Sequence, residues 1–261
     1  MRHGQMCSRG VQGEAKIDYF GDEGRVKGSV LYQAASPDRV RFDVFSPFGA
    51  ILSTLTSDGT RFAWFDLSQK TFLQGAAKAC NLERFLHVPV PPHALVQLLR
   101  GEAPVLVHDP GAATIEWKSG WFGDGRYLIS VQSRHGASET IELVPRPQDW
   151  ARSYRDQALR VLSVEVVQRG YVLYHVELAD YRTARTAAPR KDPDFPGVVV
   201  QPSGPSCHAE LPGRLRFEVP STDRDVVLTN KAVVHNPPIG PGSFEQPIPP
   251  GVSVRNVSCQ D

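Results

Sequence analysis

Histidine and cysteine are the residues here best suited to catalysis or metal binding, and the eight histidines are not arranged for either. His87 and His93 lie six residues apart around a proline-rich junction, a spacing that does not place two ligands on one helix face. His135, Ser138 and Glu139 are close in sequence, but neighbouring residues at a hairpin tip rarely form a nucleophilic triad. We therefore interpret the histidines as surface or capping residues, and we predict no catalytic residue, no metal and no cofactor.

The absence of familiar motifs narrows the possible functions further. The sequence contains no Gly-x-Ser-x-Gly elbow, phosphate-binding loop, dinucleotide fingerprint or His-Glu-x-x-His zinc motif. A formal net charge of +1 provides no strong field for nucleic acid, so we predict no nucleic-acid partner. No apolar run reaches the roughly 18 residues of a transmembrane helix. With 41% hydrophobic residues, the chain can still bury a sizeable core.

Four cysteines at positions 7, 80, 207 and 259 allow three full pairings, and none has the close spacing of a zinc site. Cys207 and Cys259 flank the C-terminal segment and form a candidate disulfide if the protein is exported to an oxidising compartment. Two buried thiols are the alternative. The six residues before Cys7 cannot supply the apolar core of a secretion signal, so we expect either a signal upstream of them or no signal.

Turn signals recur along the first two thirds of the chain and separate short strand-like segments. Asp58-Gly59 divides residues 51–56 from 61–67 and predicts a type I′ hairpin, a turn that needs positive φ at both central residues. Further turn signals lie at residues 21–24, 123–125 and Gly170. This pattern is typical of an antiparallel meander.

Side-chain alternation indicates how the predicted strands are buried. Val40, Phe42 and Val44 fall on one side of a strand, whereas Arg41 and Asp43 fall on the other. One face of the sheet should therefore contact solvent while the other contacts the core.

Residues 78–101 form the one convincing helical stretch, and Val88-Pro89-Val90-Pro91-Pro92 divides it into two short helices. Asn81 is the predicted N-cap of the first helix. The apolar stripes consist of Leu82, Phe85 and Leu86 in the first helix, and of Leu95, Leu98 and Leu99 in the second. Both helices need an apolar surface to cover.

We predict one domain over residues 1–261. Its core spans residues 11–185, a proline-rich surface loop spans 186–212, and C-terminal strands over 213–261 complete the sheet.

Residues 45–50, FSPFGA, place Phe45 and Phe48 at a turn, where polar residues are usual. Either the two rings fold back onto the core, or they form an exposed apolar tip that touches lipid or a hydrophobic partner.

Two segments resemble a known family. Residues 40–49, VRFDVFSPFG, and 88–101, VPVPPHALVQLLRG, are similar in order and separation to the LolB family of bacterial outer-membrane lipoprotein receptors. That family and the related periplasmic carrier LolA have an incomplete antiparallel barrel, closed by helices around an apolar cavity for lipoprotein acyl chains. The resemblance implies a mainly β fold: a curved antiparallel half-barrel with two short lid helices and a proline-rich C-terminal extension.

The resemblance also implies roles for individual residues. The expected cavity residues are Phe42, Val44, Leu52, Phe62, Trp64, Leu95, Leu98 and Leu99. Phe45, Pro47 and Phe48 correspond to a membrane-contacting loop, in which Phe48 holds the position of the family's projecting apolar residue. Arg41 matches a recurrent arginine that helps to fix the lid, although an ordinary outward-facing arginine is the alternative.

The implied function is non-enzymatic binding of lipoprotein acyl chains and their delivery to the periplasmic face of the outer membrane. Expected partners are lipoproteins or other lipids, a periplasmic lipoprotein carrier and the outer-membrane surface. Gly4-Gln5-Met6 precedes Cys7 without the apolar run of a lipobox, so a lipid anchor is not visible in the sequence. The alternatives are an envelope interaction module whose core is filled, and an unrecognised hydrolase.

Overall fold

Strands prevail in the computed structural model, which describes residues 7–21, 24–120, 125–192 and 197–259. Parts of the predicted turns at 21–24 and 123–125 and of the proline-rich loop lie outside these ranges. The first strands are β1 (Gly10–Gly21), β2 (Gly24–Ala35), β3 (Arg39–Phe45), β4 (Ile51–Ser57), β5 (Arg61–Asp66) and β6 (Thr71–Ala76). Two helices follow, α1 (Ala79–Leu86) and α2 (Pro92–Leu99).

The second half of the chain contributes the remaining strands. These are β7 (His108–Ser119), β8 (Gly125–Ser133), β9 (Ala137–Pro145), β10 (Leu159–Gln168), β11 (Tyr171–Ala179), β12 (Arg182–Thr183), β13 (Arg185–Thr186), β14 (Arg190–Lys191), β15 (Val199–Val200), β16 (Glu210–Leu211), β17 (Arg214–Val219), β18 (Arg224–His235) and β19 (Ser253–Val257). Short 3-10 turns cover Pro147–Asp149 and Pro220–Thr222.

One large sheet runs in the order β19-β6-β5-β4-β3-β2-β1-β18-β17-β11-β10-β9-β8-β7. Its pairs along this path are antiparallel except β19 with β6, and β17 and β18 join the two meanders in the middle. The sheet is curved and does not close into a barrel. The prediction of a mainly β, incomplete antiparallel barrel is therefore confirmed.

The tight turns differ in detail from the sequence-based expectation. At Asp58-Gly59 only the glycine has a positive φ, of 96°, so the predicted type I′ turn is wrong there. Asp58 instead accepts hydrogen bonds from the backbone of Thr60 and Arg61 through its carboxylate. Two consecutive positive φ values occur at the β10–β11 turn, at Arg169 and Gly170.

The two predicted helices are present, and proline separates them as expected. The predicted N-cap is wrong because α1 starts earlier: Lys78 is at the cap, and the Asn81 amide donates to the Ala76 carbonyl at 2.8 Å.

The two helices differ in how deeply they are buried in the core. Six of the eight residues of α2 are buried, whereas only Asn81 and Leu82 of α1 are. Neither helix is long and apolar enough to cross a membrane.

Two disulfides connect distant parts of the chain, Cys7 with Cys207 and Cys80 with Cys259. The predicted Cys207–Cys259 pair is wrong. The fold returns the N-terminal end of β1 to the end of β18, where Asn236 binds the backbone near both Cys7 and Pro205. Cys259 instead follows β19, which runs parallel to β6. Because α1 follows β6 in the chain, Cys259 lies near Cys80 at the start of α1.

Candidate functional site

An apolar cavity of about 90 Å³ lies between the concave face of the sheet and the two helices. Its floor comes from the first meander and from the central strands, and its roof from the helices. The floor residues include Phe42, Val44, Ser53, Leu55, Trp64, Phe217 and Val226. The roof residues include Phe85, Leu86, Leu95 and Leu99. Apart from the Ser53 hydroxyl, these side chains offer a ligand apolar surface.

Helix α1 is the part of the roof that is most weakly buried. The Phe85 ring stacks on Trp64 with centroids 4.9 Å apart, and its side chain and that of Leu86 remain half-buried. Pockets that hold small ligands usually measure about 300–1,000 Å³. The observed cavity is far smaller, so a ligand of ordinary size can enter only if a wall moves. Because α2 belongs to the core, α1 is the wall whose displacement exposes least apolar surface.

The contacts of α1 with the sheet are unequal at its two ends. Near its start, the Cys80–Cys259 disulfide ties the helix covalently to the segment after β19. Near its end, Glu83 pairs with Arg224 at 3.1 Å, and the His87 ring stacks on Tyr19. The start of α1 is therefore fixed, whereas its end is held by non-covalent contacts alone.

The β3–β4 hairpin tip projects one aromatic ring into solvent. Phe48 is 98% exposed, whereas Phe45 is half-buried at the base of the tip and Pro47 is exposed. Ser46 braces the turn by accepting a hydrogen bond from the Ala50 N–H through its hydroxyl. Val44 and Ser53, which lie next to the tip along β3 and β4, line the cavity. The cavity and the exposed ring are thus at the same end of the sheet.

Three solved structures share this architecture over most of their length. A DUF1329 family protein from Desulfovibrio piger gives a TM-score of 0.59 at 8% identity, covering 94% of this chain and 93% of that one. A LolA superfamily protein from Nitrosomonas europaea gives a TM-score of 0.55 at 9% identity, covering 93% of this chain and 94% of that one. An outer-membrane lipoprotein-sorting protein domain from Vibrio parahaemolyticus gives a TM-score of 0.53 at 9% identity, covering 91% of this chain and 89% of that one. The fold is LolA-like.

Sequence comparison adds nothing to this likeness, since no protein-family model and no curated protein matches the chain. At 8–9% identity the likeness concerns the fold alone.

Within the LolA-like fold, most of the predicted cavity residues come together. Phe42, Val44, Trp64, Leu95 and Leu99 line the cavity. Phe62 is buried just beyond it and contacts the Phe85 ring, with centroids 5.5 Å apart. Leu98 is fully buried but does not line the cavity.

Leu52 was assigned to the wrong face. It is 44% exposed, and Ser53 lines the cavity in its place. The physical reason is the alternation along β4: Ser53 and Leu55 face the cavity, so Leu52, next to Ser53, faces outward. The irregularity in the β3–β4 pairing begins only beyond the Val44–Ser53 pair.

Arg41 does not contact the lid helices and lies on the outer face of the LolA-like sheet. Its guanidinium binds the Asp43 carboxylate at 2.8 and 3.0 Å and donates weakly to the Ser243 carbonyl at 3.5 Å. The expectation that it positions the lid is wrong, and the alternative of an outward-facing arginine fits. It helps to attach the C-terminal extension to the outside of β3.

The cavity also contains residues that sequence reasoning missed. Phe217, Val226 and Leu228 come from β17 and β18, more than 100 residues from the other wall residues in sequence. The alternation in both strands indicated one buried face. Nothing local indicated that this face would be next to β1 and the helices.

The described residues show no convergent catalytic or metal site. Glu139 points into the core toward Leu106, whereas Ser138 precedes it on the opposite face of β9, so the two do not converge with His135. Cys7, Cys207 and His235 form a cluster with potential ligand atoms within 4.8 Å of one another. The two sulfurs are bonded to each other, and a disulfide lacks the thiolate charge that binds metals.

Glu139 is a buried carboxyl group that does not line the apolar cavity. It is 1% exposed and accepts a hydrogen bond from the Leu106 N–H at 2.9 Å, which joins the segment after α2 to β9. Burial raises the pKa of Glu139 from 4.5 to about 7, opposed by the Leu106 hydrogen bond and by nearby His108. Ionisation of Glu139 above neutral pH therefore disfavours the folded state.

Glu139→Gln should stabilise the protein at alkaline pH. The pKa of Glu139 is higher in the folded state than in the unfolded state, so its ionisation destabilises the fold. This destabilisation is absent below pH 4.5, grows between pH 4.5 and 7, and is complete above pH 7. We expect the free energy of unfolding to rise by about 2–3 kcal/mol at pH 8, with little change at pH 4. Urea unfolding at pH 8 and at pH 4 measures the change in the free energy of unfolding. The control is Glu142→Gln, on the outer face of β9. A gain equal at both pH values would contradict it.

Proposed function

We propose that this protein binds the acyl chains of lipoproteins in the apolar cavity and delivers them at a membrane, without catalysis. The observation that carries the proposal is the position of a lidded apolar cavity beside an exposed aromatic hairpin tip. Cargo leaving the cavity at that end passes the tip, so the tip and the cavity can act in one transfer.

The wall of the cavity suits an acyl chain better than a polar ligand. Burial of one CH₂ group is favourable by about 0.8 kcal/mol, so a chain of a dozen or more carbons binds without a charged contact. The wall residues are apolar apart from Ser53. A polar ligand would lose its hydrogen bonds to water there and gain almost none.

The proposed location is the periplasmic face of the outer membrane, with lipoproteins and a periplasmic lipoprotein carrier as partners. Two disulfides support an oxidising compartment of this kind. The LolA-like fold supports a carrier role rather than an enzymatic one.

The small size of the cavity favours a second candidate function, an envelope interaction module whose core stays filled. In that case α1 would remain packed against Trp64 and no lipid would enter. The two candidates differ in one measurable property, the capacity to take up an acyl chain.

Uptake of a fluorescent fatty-acid analogue by the purified protein tests the proposal. We expect saturable binding with one chain per protein, accompanied by a blue shift as the probe leaves water. Absence of binding by protein whose circular dichroism is that of a folded β protein would favour the interaction module.

Phe48→Glu should separate delivery from uptake. A charge at the tip opposes its insertion into a bilayer but does not touch the cavity wall. We expect transfer of an acylated peptide to vesicles to slow at least about tenfold, with unchanged binding of the fatty-acid analogue. The matched control is Ile115→Glu, since Ile115 is 70% exposed on β7 at the far edge of the sheet. Equal loss of uptake and transfer in Phe48→Glu would contradict the role of the tip.

A further inference from the structure

The β5–β6 hairpin tip lies beside the Phe48 tip, and it too exposes apolar side chains. Besides Phe48, the exposed apolar residues of this end are Ile51 at 39%, Leu52 at 44% and Leu67 at 41%. The Leu67 N–H donates to the Leu52 carbonyl at 3.0 Å, so the bases of the two hairpin tips are in direct contact. We name Phe48, Ile51, Leu52 and Leu67 the two-tip surface.

The second tip is held in a defined conformation. The Asp66 carboxylate accepts hydrogen bonds from the Ser68 N–H, the Ser68 hydroxyl and the Gln69 N–H. On its other side, the Lys70 carbonyl accepts from the Ser253 N–H, which links the tip to the start of β19. These contacts hold the tip in one conformation with Leu67 exposed. The tip therefore loses little conformational entropy when it binds a partner.

The charges around the two-tip surface indicate the kind of partner. Residues 46–52 and 67–70 contain a single charged side chain, that of Lys70, which has no ion-pair partner among the described residues. The carboxylate nearest in sequence, Asp66, is engaged in its own turn. Apolar side chains next to small polar residues and a long cation are typical of surfaces that enter the headgroup region of a bilayer.

We propose that the two-tip surface is a membrane-binding site, in which the β5–β6 tip enters the lipid headgroup region together with Phe48. The inference rests on the proposed function and extends it, because it assigns Leu52, Leu67 and Lys70 to the contact. Simultaneous contact of two adjacent tips fixes the orientation of the protein. It directs the end of the sheet that bears Val44 and Ser53, and with it the cavity, toward the bilayer.

The test is co-sedimentation of the full chain with phosphatidylcholine vesicles, with and without phosphatidylglycerol. Leu52→Gln combined with Leu67→Gln should lower the partition coefficient about tenfold for both vesicles, because two apolar contacts are lost without an added charge. Leu31→Gln is the matched control, since Leu31 is 40% exposed on the outer face of β2. Lys70→Gln should weaken binding about fivefold for the anionic vesicles alone.

Each outcome distinguishes this inference from the proposed function. Loss of vesicle binding in Phe48→Glu, with wild-type binding in the double glutamine variant, would overturn the two-tip surface and leave acyl binding standing. Wild-type vesicle binding in all these variants would overturn both membrane contacts. An environment-sensitive dye on Leu67→Cys gives a second readout: a blue shift with vesicles supports insertion, and no shift contradicts it. No free cysteine in the described residues competes for the dye.

Discussion

Ser53→Phe is expected to weaken acyl-chain binding by at least about tenfold while the fold persists. Ser53 lines the cavity beside Val44, Leu55 and Trp64, and its side chain is small and half-buried. A phenyl ring at this position projects into the cavity and stays in place when α1 moves outward. Overpacking of this kind costs about 1–3 kcal/mol of stability. Titration with a fluorescent fatty-acid analogue measures the change in Kd.

Ser130→Phe provides the matched control for this variant. Ser130 lies on β8 between Ile129 and Val131, which face the core, so its own side chain is on the outer face of the sheet. The control should bind the analogue like the wild type. Wild-type affinity in Ser53→Phe would show that the chain binds elsewhere.

Removal of the Cys80–Cys259 disulfide, by serine at both positions, should accelerate uptake about tenfold. The disulfide fixes the start of α1, so its loss permits the whole helix to leave the cavity rather than its end alone. The closed loop is long, with a sequence separation of 179, and the free energy of unfolding should fall by about 4–5 kcal/mol. Stopped-flow mixing with the fatty-acid analogue measures the uptake rate.

The Cys7–Cys207 disulfide makes a close control, because its sequence separation of 200 predicts a similar loss of stability when both cysteines become serine. It is attached to neither lid helix, so the uptake rate should stay that of the wild type. Equal acceleration in the two variants would mean that general loosening of the fold, and not the release of α1, controls uptake.

The local features of the fold could be predicted from the sequence, because each depends on a few adjacent residues. The alternation in residues 40–44 placed Phe42 and Val44 inside and Arg41 outside, as the structure has them. The prolines at 89, 91 and 92 separated α1 from α2, since proline cannot continue a helix.

Features that depend on pairing between distant strands could not be predicted in the same way. The pairing of β18 with β1 brings Cys7 close to Cys207, and the pairing of β19 with β6 brings Cys259 close to Cys80. No local pattern encodes either pairing. The outward position of Leu52, by contrast, follows from local alternation, because Ser53 and Leu55 of the same strand line the cavity. This difference of one position along β4 changes the role inferred for Leu52 from ligand binding to membrane contact.

In the proposed binding step, α1 moves away and an acyl chain takes its place against Phe42, Trp64 and Leu95. Photo-crosslinking with a fatty acid that carries a diazirine at its terminal carbon locates the bound chain. We expect labelled peptides from β3, β5 and α2, with labelling lost in Ser53→Phe. Labelling confined to exposed apolar residues such as Ile115 and Tyr154, or no labelling of the folded protein, would contradict it.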